Sequence, residues 1–355
     1  MTTIDEQILA TEEEIRKTPY HKGTEHHIGK LRARIARLKD KQFEQAKKGG
    51  SKIGYAVKKQ GDATLVLVGP PSSGKSTLIN KLTNAQSKVA PYAFTTVSVI
   101  PGIMEFKDAK IQILDVPGLI EGAEEGKGRG REVLSVIRSS DLLIIMTDIQ
   151  RLNALESIKK ALERNGIRVN KEKPKVSVEK KLKGGIVVHS NIKQPFSKET
   201  IVEVASEMGI KNAEIKIDNR LDSINDLIDA FMKNRVYIPA IFVVNKADLA
   251  KNEIRENLLY ISALTNQNLD VLKERIWEKL GFVRVFLVKP DEEPGFENPI
   301  IMRSSDTLLD LAAKLGSDFL ARKKGAKIWG SHAKFPGQEV SLSTKVKEGM
   351  QIRFI

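Results

Sequence analysis

The feature that most constrains this chain is a glycine-rich loop that separates a short apolar run from a helical pattern. The apolar run is Thr64-Leu65-Val66-Leu67-Val68, and the helical pattern is Thr77-Leu78-Ile79-Asn80-Lys81-Leu82. Between them stand Gly69-Pro70-Pro71-Ser72-Ser73-Gly74-Lys75-Ser76, spaced as G-x-x-x-x-G-K-S. A strand, a loop and a helix in this order allow successive backbone N–H groups to surround a polyphosphate, toward which the helix also presents its positive end.

The loop carries the side chains that phosphate chemistry needs. Lys75 would reach the β- and γ-phosphates, and the Ser76 hydroxyl would bind Mg²⁺. The alternative is a chance glycine-rich turn, for which the odds are about one in a hundred at the ordinary glycine frequency. We therefore predict that a nucleotide is bound by Gly69, Pro70, Ser72, Ser73, Gly74, Lys75, Ser76 and Thr77.

Composition excludes several other kinds of protein. The chain has 355 residues, more than one core usually serves, so two or more domains are expected. It has no cysteine, which excludes a disulfide scaffold, thiolate zinc sites and cysteine nucleophiles. Its apolar runs are far shorter than the ~18 residues of a membrane-spanning helix, and its start lacks the pattern of a secretion signal. We therefore expect a cytoplasmic protein with no membrane association.

The net charge of +14 is distributed unevenly. Residues 1–60 carry 14 basic and 8 acidic side chains, residues 166–236 carry 14 and 10, and residues 283–355 carry 12 and 9. The rest of the chain carries 19 and 18 and is almost neutral. Basic segments around a neutral nucleotide-binding part predict a polyanionic partner such as RNA or a ribosome, with no DNA specificity expected. The alternative is a solvated lysine-rich surface.

Three groups after the glycine-rich loop suit a nucleotide switch. Thr95 and Thr96 lie between the loop and the next strand, where a threonine would close over Mg²⁺ and the γ-phosphate. Asp115 ends the strand at 110–114 and suits the second sphere of Mg²⁺, and Gly118 can donate its N–H to the γ-phosphate. The following segment, 121–131, is glycine-rich and is predicted to be a mobile switch loop.

The identity of the nucleotide's base is predicted from the tetrad Asn245-Lys246-Ala247-Asp248, which ends a later strand. A carboxylate at Asp248 can accept two hydrogen bonds from the guanine N1–H and exocyclic amine, which is a donor pattern that adenine does not present. The stem of Lys246 can pack along the base. The next strand leads to Ser262-Ala263-Leu264, which is placed to offer a backbone N–H to the guanine carbonyl.

The remaining segments predict further domains around this part. Residues 3–18 and 26–47 have helical periodicity and predict an antiparallel helical pair with basic residues on the second helix. About 70 residues separate the strand near 141–146 and its following helix from the next core strand, too many for a crossover loop, and predict an inserted small α/β domain. A strand, a helix and a closing strand after residue 283 predict a β-grasp fold. Its clearest basic cluster is Arg322, Lys323, Lys324 and Lys327.

Together these motifs resemble the developmentally regulated GTP-binding protein family, within the Obg group of translation-factor GTPases. The residues that carry the resemblance over essentially the whole chain are Thr24-Glu25-His26-His27, the glycine-rich loop, Phe94-Thr95-Thr96, Ile100-Pro101-Gly102, Asp115-Val116-Pro117-Gly118 and Gly126-Lys127-Gly128-Arg129-Gly130-Arg131.

The resemblance implies an α/β fold in four parts. These are an N-terminal helical domain at 1–60, a P-loop GTPase domain with a mostly parallel sheet at 61–165 and 237–282, a ribosomal-S5-like insert at 166–236, and a TGS domain at 283–355. It also implies hydrolysis of GTP to GDP coupled to ribosome or RNA association, with a possible protein cofactor. The motifs themselves predict Lys75, Thr95, Thr96 and Gly118 as the catalytic groups. They predict a metal site of Ser76, Thr95, Thr96 and Asp115, in which Ser76 binds directly, Thr95 or Thr96 is added in the GTP state, and Asp115 acts mainly through water.

The identity of one residue indicates how fast the protein hydrolyses GTP on its own. Leu119 stands where Ras-like switches have the glutamine that orients the attacking water, and an alkyl side chain cannot hydrogen-bond water. We expect slow intrinsic turnover unless another group, K⁺ or a partner completes the site. Relatives that use K⁺ commonly carry asparagine where this chain has Ser72, which leaves K⁺ activation open. Two functions remain: a GTP-hydrolysing switch in translation, or a GTP-dependent RNA-binding scaffold with incidental hydrolysis.

Overall fold

The computed structural model describes residues 3–48, 59–83, 100–116, 129–249 and 258–355. They form two compact units, each assembled from two stretches of chain. The first unit comprises Met1–Gly54 and Gly166–Tyr237, and the second comprises Tyr55–Asn165 and Ile238–Ile355. The structure thus groups the N-terminal helices with the insert. The four-part division at residues 60, 165, 236 and 282 stays a prediction.

The second unit is built on a six-stranded sheet whose strand order is β11-β10-β4-β1-β3-β2. Neighbouring strands are parallel except for β2, which runs antiparallel to β3 at the edge. Strands β1 and β4 are buried along their whole length, as expected for parallel strands covered on both faces. The strands are β1 Ala63–Val68, β2 Ile100–Phe106, β3 Ala109–Asp115, β4 Leu142–Asp148, β10 Ala240–Asn245 and β11 Leu259–Tyr260.

The edge strand β2 was not predicted from the sequence. It contains Pro101 and Gly102, which are both unfavourable in strands, and Pro101 pairs opposite Leu114. An edge position tolerates proline because its missing N–H can face away from the neighbouring strand. Tertiary pairing therefore overrides local propensity here.

Within the described residues of this part, four helices follow the sheet's strands in the chain. They are α3 Lys75–Leu82, α4 Arg129–Ser139, α5 Asn153–Arg164 and α8 Leu269–Leu280. The predicted switch loop at 121–131 requires a correction, because its last three residues are the first turn of α4. The part of that loop between 121 and 128 lies outside the described residues.

A second, five-stranded sheet closes the chain, with the order β13-β12-β16-β14-β15. The central pair β12 and β16 is parallel, and the other pairs are antiparallel. This confirms the small mixed sheet, whose strands β13, β14 and β15 the sequence analysis did not find. The elements are β12 Phe282–Leu287, β13 Ile300–Arg303, α9 Leu308–Leu315, α10 Ser317–Ala321, β14 Ala326–Trp329, β15 Gln338–Val340 and β16 Met350–Phe354.

The two sheets of this unit share apolar packing. Phe282 and Ile301 from the C-terminal sheet belong to the same buried cluster as Trp277 on α8. Trp277 meets Phe282 edge to face with a centroid distance of 5.5 Å. The C-terminal sheet is therefore anchored to the larger one through a continuous core.

The first unit joins the N-terminal helices to the inserted segment. Helix α2 packs on α6 and α7, and Ala33 belongs to the buried core of the insert. A Cβ at Gly29 would stand 3.3 Å from a methyl group of Val204, so glycine allows the helices to approach closely. The elements are α1 Ile4–Lys17, α2 Glu25–Lys48, β5 Ile167–Val169, β6 Val176–Lys180, β7 Ile186–Ser190, α6 Lys198–Glu207, β8 Ala213–Ile217 and α7 Ile224–Phe231. Strand β9, Val236–Ile238, spans the point in the chain at which this unit ends.

Several basic residues of α2 have partners within this unit. Arg37 donates to the backbone carbonyl of Glu207 at 3.0 Å, and Arg34 lies 3.4 Å from its carboxylate. Lys39 pairs with Glu12 on α1 at 3.2 Å. Part of the positive charge that suggested a polyanionic partner therefore supports packing between helices. None of the described helices is both long and apolar enough to cross a membrane.

Candidate functional site

The glycine-rich loop joins β1 to α3, and close contacts at both ends require glycine. A Cβ at Gly69 would stand 2.2 Å from the carbonyl oxygen of Met146. Gly74 has φ +93°, and a Cβ there would stand 2.2 Å from the side-chain nitrogen of Asn245. Ser72, between them, also adopts the left-handed region, with φ +59°. The loop thus packs closely against the carboxyl ends of strands β4 and β10, which carry Met146 and Asn245.

Lys75 opens α3 and folds back across the loop. Its ammonium donates to the carbonyl oxygens of Gly69 and Pro70, at 3.0 Å each. Burial lowers the pKa of Lys75, the nearby Arg151 lowers it further, and the negative charge of Asp115 opposes both effects. The lysine stands at the centre of a small charged cluster at the end of the sheet.

Asp115, the last residue of β3, faces the start of α3. The hydroxyl of Ser76 donates to Asp115 Oδ2 at 3.2 Å. The other oxygen, Oδ1, is buried and has no hydrogen-bond partner within the described part of the chain. Burial raises the pKa of Asp115, although Lys75 and Ser76 act in the opposite direction. A buried carboxylate oxygen and a hydroxyl are oxygen ligands of the kind that Mg²⁺ prefers, so these two residues fit that ion.

Asn245, at the end of β10, connects three of the predicted segments. Its side-chain nitrogen donates to the carbonyl oxygen of Ser73 at 2.9 Å. Its side-chain oxygen accepts from the backbone N–H of Ala263 at 3.0 Å. The glycine-rich loop, the tetrad at 245–248 and the segment at 262–264 therefore lie side by side. The N–H of Ala263 therefore donates to the Asn245 side chain in this structure.

The other members of the tetrad are more open. Lys246 has φ +62°, and its ammonium lies 3.3 Å from the carboxylate of Asp148. Asp248 lies in a short 3-10 turn, Ala247–Leu249, and is exposed. A base-reading carboxylate would ordinarily lie in a buried site, and the exposure of Asp248 follows from its position on a surface turn beyond the strand end.

The remaining residues of the predicted nucleotide set lie around this centre. Ser262 is buried, and its hydroxyl accepts from the N–H of Thr265 at 3.2 Å. Leu264 is exposed at the surface. Thr77 is exposed in the first turn of α3. Thr95, Thr96, Gly118 and Leu119 lie outside the described residues.

Known protein families match most of the chain from residue 64 to residue 355, and relatives match nearly all of it. The family described as a 50S ribosome-binding GTPase matches residues 64–181, the C-terminal region of that domain matches 183–282, and the TGS domain matches 283–355. An uncharacterized GTP-binding protein of Methanocaldococcus jannaschii is 46% identical, with 98% of this chain and 91% of the relative covered. Developmentally-regulated GTP-binding protein 2 of Homo sapiens is 37% identical, with 95% of each covered.

The chain belongs to the developmentally regulated GTP-binding protein family. As a member it is a GTP-binding GTPase with a P-loop domain and a C-terminal TGS domain. The solved YchF GTPase of Schizosaccharomyces pombe matches at a TM-score of 0.46 and 12% identity, covering 84% of this chain and 99% of that chain.

The sequence analysis of this family member missed Asp148 and Arg151. Asp148 ends β4 directly beside Asn245 in the parallel register, and it is 2% exposed. Arg151 donates to Asp148 at 2.7 Å and to the carbonyl oxygen of Pro71 at 2.9 Å. A usable signal existed, because polar residues at the carboxyl ends of neighbouring parallel strands meet at one edge of the sheet. Asp148 follows such a strand in the sequence.

Proposed function

We propose that this family member is a GTP-hydrolysing molecular switch that associates with RNA or ribosomes, in translation. The observation that carries the proposal is the arrangement of the sequence into a nearly neutral nucleotide-binding part and three basic segments. The family description of residues 64–181 as a ribosome-binding GTPase supports the same partner. Arg322 and Lys324 of the TGS domain are exposed and are candidates for phosphate contacts.

The contacts in the site support the proposed nucleotide roles. Backbone N–H groups of residues 72–76 would hold the phosphates together with Lys75, since Pro70 and Pro71 have no N–H to donate. Asp248 would accept from guanine, and its exposure leaves it accessible to a base. Since the N–H of Ala263 is bonded to Asn245, the donor to the guanine carbonyl would come from Leu264.

Ser76 would hold Mg²⁺ directly and Asp115 mainly through water, with Thr95 or Thr96 added in the GTP state. The ion would neutralise charge on the phosphates. The unpartnered Oδ1 of Asp115 supports this assignment, because a buried carboxylate oxygen without a donor is costly. Replacing Ser76 with Asn should weaken GTP binding more than GDP binding, and equal affinities for both nucleotides would count against the role.

We further propose that turnover without partners is slow. Leu119 offers neither a base nor a hydrogen bond to the attacking water, which leaves charge neutralisation as the main effect. Leu119→Ala should then leave the basal rate within about tenfold, whereas loss of Lys75 should cost several kcal/mol of transition-state stabilisation. Rates in K⁺ and Na⁺ buffers should differ modestly, because Ser72 stands where K⁺-using relatives carry asparagine.

The test is co-sedimentation with ribosomes in the presence of GDP or of a non-hydrolysable GTP analogue, followed by multiple-turnover GTPase assays with and without ribosomes. A switch should bind ribosomes differently in its two nucleotide states and hydrolyse GTP faster on them. A scaffold with incidental hydrolysis should bind in a nucleotide-dependent way with no change in rate. Absence of ribosome and RNA binding in both states would refute the proposed partner.

A further inference from the structure

Two positions near the nucleotide site have backbone conformations that ordinary side chains avoid. Ser72 in the phosphate loop has φ +59°, and Lys246 in the base-reading tetrad has φ +62°. Each such position costs on the order of 1 kcal/mol or more and persists only where the surroundings hold it. Neither residue is glycine, so neighbouring contacts must stabilise both conformations.

The carbonyl groups on either side of Ser72 are both held by side chains from other strands or the turns that follow them. The carbonyl oxygen of Pro71 accepts from Arg151 at 2.9 Å, and that of Ser73 accepts from Asn245 at 2.9 Å. The first hydrogen bond therefore fixes the peptide group that precedes Ser72, and the second fixes the Ser73–Gly74 peptide group one residue beyond it. One comes from the tetrad, and the other comes from an arginine that no predicted motif contains.

The position of Arg151 depends on Asp148. Its guanidinium contacts both carboxylate oxygens of Asp148, at 2.7 Å from one terminal nitrogen and 3.5 Å from Nε. Its backbone is fixed as well, because its N–H donates to the carbonyl oxygen of Asp148 at 3.1 Å and its own carbonyl accepts from Thr147 at 2.9 Å. The arginine is thus directed at the phosphate loop from a rigid base.

Asp148 also holds Lys246. The lysine ammonium lies 3.3 Å from the same Oδ2 atom that accepts from Arg151. Burial raises the pKa of Asp148, but the hydrogen bonds from Arg151 and Lys246 outweigh burial and lower it below the ordinary value. A buried charge needs such partners, and this one has a cation on the phosphate side and a cation on the base side.

We propose that Asp148 is a positioning residue that couples the phosphate loop to the base-reading tetrad, through Arg151 on one side and Lys246 on the other. The inference rests on the nucleotide site proposed above. It adds a link that runs beside Asn245 and acts on the two left-handed residues. Loss of the carboxylate should weaken phosphate binding and base discrimination together, whereas loss of either cation should weaken only one of them.

The test measures equilibrium binding of GDP, GMP and inosine diphosphate to the full-length protein with Mg²⁺. The ratio of GDP to GMP affinity reports the phosphate loop, and the ratio of GDP to inosine diphosphate affinity reports base reading, because inosine lacks the exocyclic amine. Asp148→Asn should weaken GDP roughly 10- to 100-fold and lower both ratios. Arg151→Gln should lower the first ratio only, and Lys246→Met the second only.

Asp141→Asn is the matched control. Asp141 precedes the same strand at its opposite end and also accepts from cationic side chains, so its loss reports the general effect of removing such a carboxylate. Both ratios should stay at the wild-type value in that variant. If Asp148→Asn fails to fold, Arg151→Gln and Lys246→Met together decide the matter, because both side chains are 40% exposed and their replacement leaves the core intact. Wild-type ratios in both variants would then overturn the inference.

Two outcomes would overturn the inference. One is wild-type ratios in both Asp148→Asn and Arg151→Gln. The other is equal changes in Asp148→Asn and Asp141→Asn, which would indicate a purely structural role. If the wild type itself bound GDP no better than ADP, the proposed nucleotide site would fail instead, so the two failures are distinguishable.

Discussion

Arg303 of the TGS domain donates to Asp141, the residue that precedes β4, at 2.7 Å. The same carboxylate accepts from the backbone N–H of Thr64 at 2.9 Å and from Lys59 at 3.1 Å. Asp141 therefore ties the first strand of the GTPase sheet to the C-terminal domain. This junction lies at the opposite end of β4 from Asp148, so one buried strand connects the TGS contact to the nucleotide site.

Asp141→Asn should lower the free energy of unfolding by a contribution that the wild type itself loses when acid protonates Asp141. Burial raises the pKa of Asp141, but hydrogen bonds from Thr64, Arg303 and Lys59 lower it below the ordinary 3.8. The stabilisation is therefore fully present above the ordinary pKa and is lost as the pH falls through the folded-state pKa. We expect a difference in the free energy of unfolding of about 1–3 kcal/mol at pH 7.

This difference should shrink as the pH falls below about 4. Urea unfolding followed by tryptophan fluorescence measures it, since both tryptophans, Trp277 and Trp329, lie in the second unit. Arg303→Met should give a smaller loss with the same pH dependence. A wild-type to variant difference that stayed constant from pH 7 down to about pH 3 would contradict the assignment.

Asp115→Asn should separate stability from function. Burial raises the pKa of Asp115, and an acid whose pKa is raised by folding costs stability once it is ionised. The cost is absent below the ordinary pKa and complete above the folded-state pKa. The nucleotide-free variant should therefore melt higher at pH 7, by about 2–4 °C for each 1 kcal/mol gained.

The same variant should bind GTP with Mg²⁺ roughly 10- to 100-fold more weakly, because an oriented oxygen near the metal is lost. Differential scanning fluorimetry without nucleotide, and titration with nucleotide and Mg²⁺, measure the two effects. A lower melting temperature in the nucleotide-free variant would show that Asp115 stabilises the fold rather than serving the ion.

Gly74→Ala should abolish nucleotide binding through a steric clash. The added Cβ would stand 2.2 Å from the side-chain nitrogen of Asn245, at a residue with φ +93°. Gly184→Ala is the matched control, since its φ is +109° but no atom of the described residues lies within 4 Å of the position that a Cβ would take. Both variants carry backbone strain of about 1 kcal/mol or more, and only the first has the clash. Similar GDP affinities in the two variants would refute the explanation.

Asp248→Asn should change the base preference. The carboxylate matches two guanine donors, and an amide matches xanthine better, so GTP affinity should fall while xanthosine triphosphate affinity rises. A site that loses its matched donors commonly discriminates by ~10⁴ or more. Competition between the nucleotides for a fluorescent GDP analogue measures the preference. If the wild type bound ATP as tightly as GTP, Asp248 would have no such role.

Exposed cations of the TGS domain should contribute to RNA binding in a salt-dependent way. Arg322 and Lys324 are exposed, whereas Lys327 lies 3.5 Å from Glu339 and Lys323 donates to the carbonyl oxygen of Phe354. Replacing Arg322 and Lys324 with Gln should make the slope of log affinity against log salt shallower by roughly 0.7–0.9 for each phosphate that is no longer neutralised.

Replacement of Lys327 alone is the comparison, since its charge already has a partner. These variants are preferable to truncation before residue 283, because Phe282 and Ile301 belong to the core of the larger sheet. Co-sedimentation with ribosomes over a range of salt concentrations gives the slopes. An unchanged slope in the Arg322 and Lys324 variant would exclude this surface.

The sequence by itself determined the local chemistry of the protein. Residues close together in the sequence specify the strand, the glycine-rich loop and the helix at 64–82. The structure contains them as β1, the loop and α3. The same holds for α1, α2 and the core strands, because period and apolar content report burial directly. Residues Ser76, Asp115 and Asn245 could be assigned to one site because parallel strands bring their carboxyl ends together.

Only the tertiary structure decided which distant segments share a core. Helix α2 contacts Glu207 from 170 residues away, and no local pattern specifies which apolar faces of separate segments pack together. The same reason explains the pairing of Asp148 with Arg151 and Lys246. The strand before Asp148 places it at that edge of the sheet, but no local pattern specifies which cations it meets there. Edge strand β2 became a strand through its pairing with β3, despite a proline and a glycine. The helix packing, the Asp148 cluster and strand β2 all depend on contacts between residues far apart in the sequence, and such contacts form only in the folded chain.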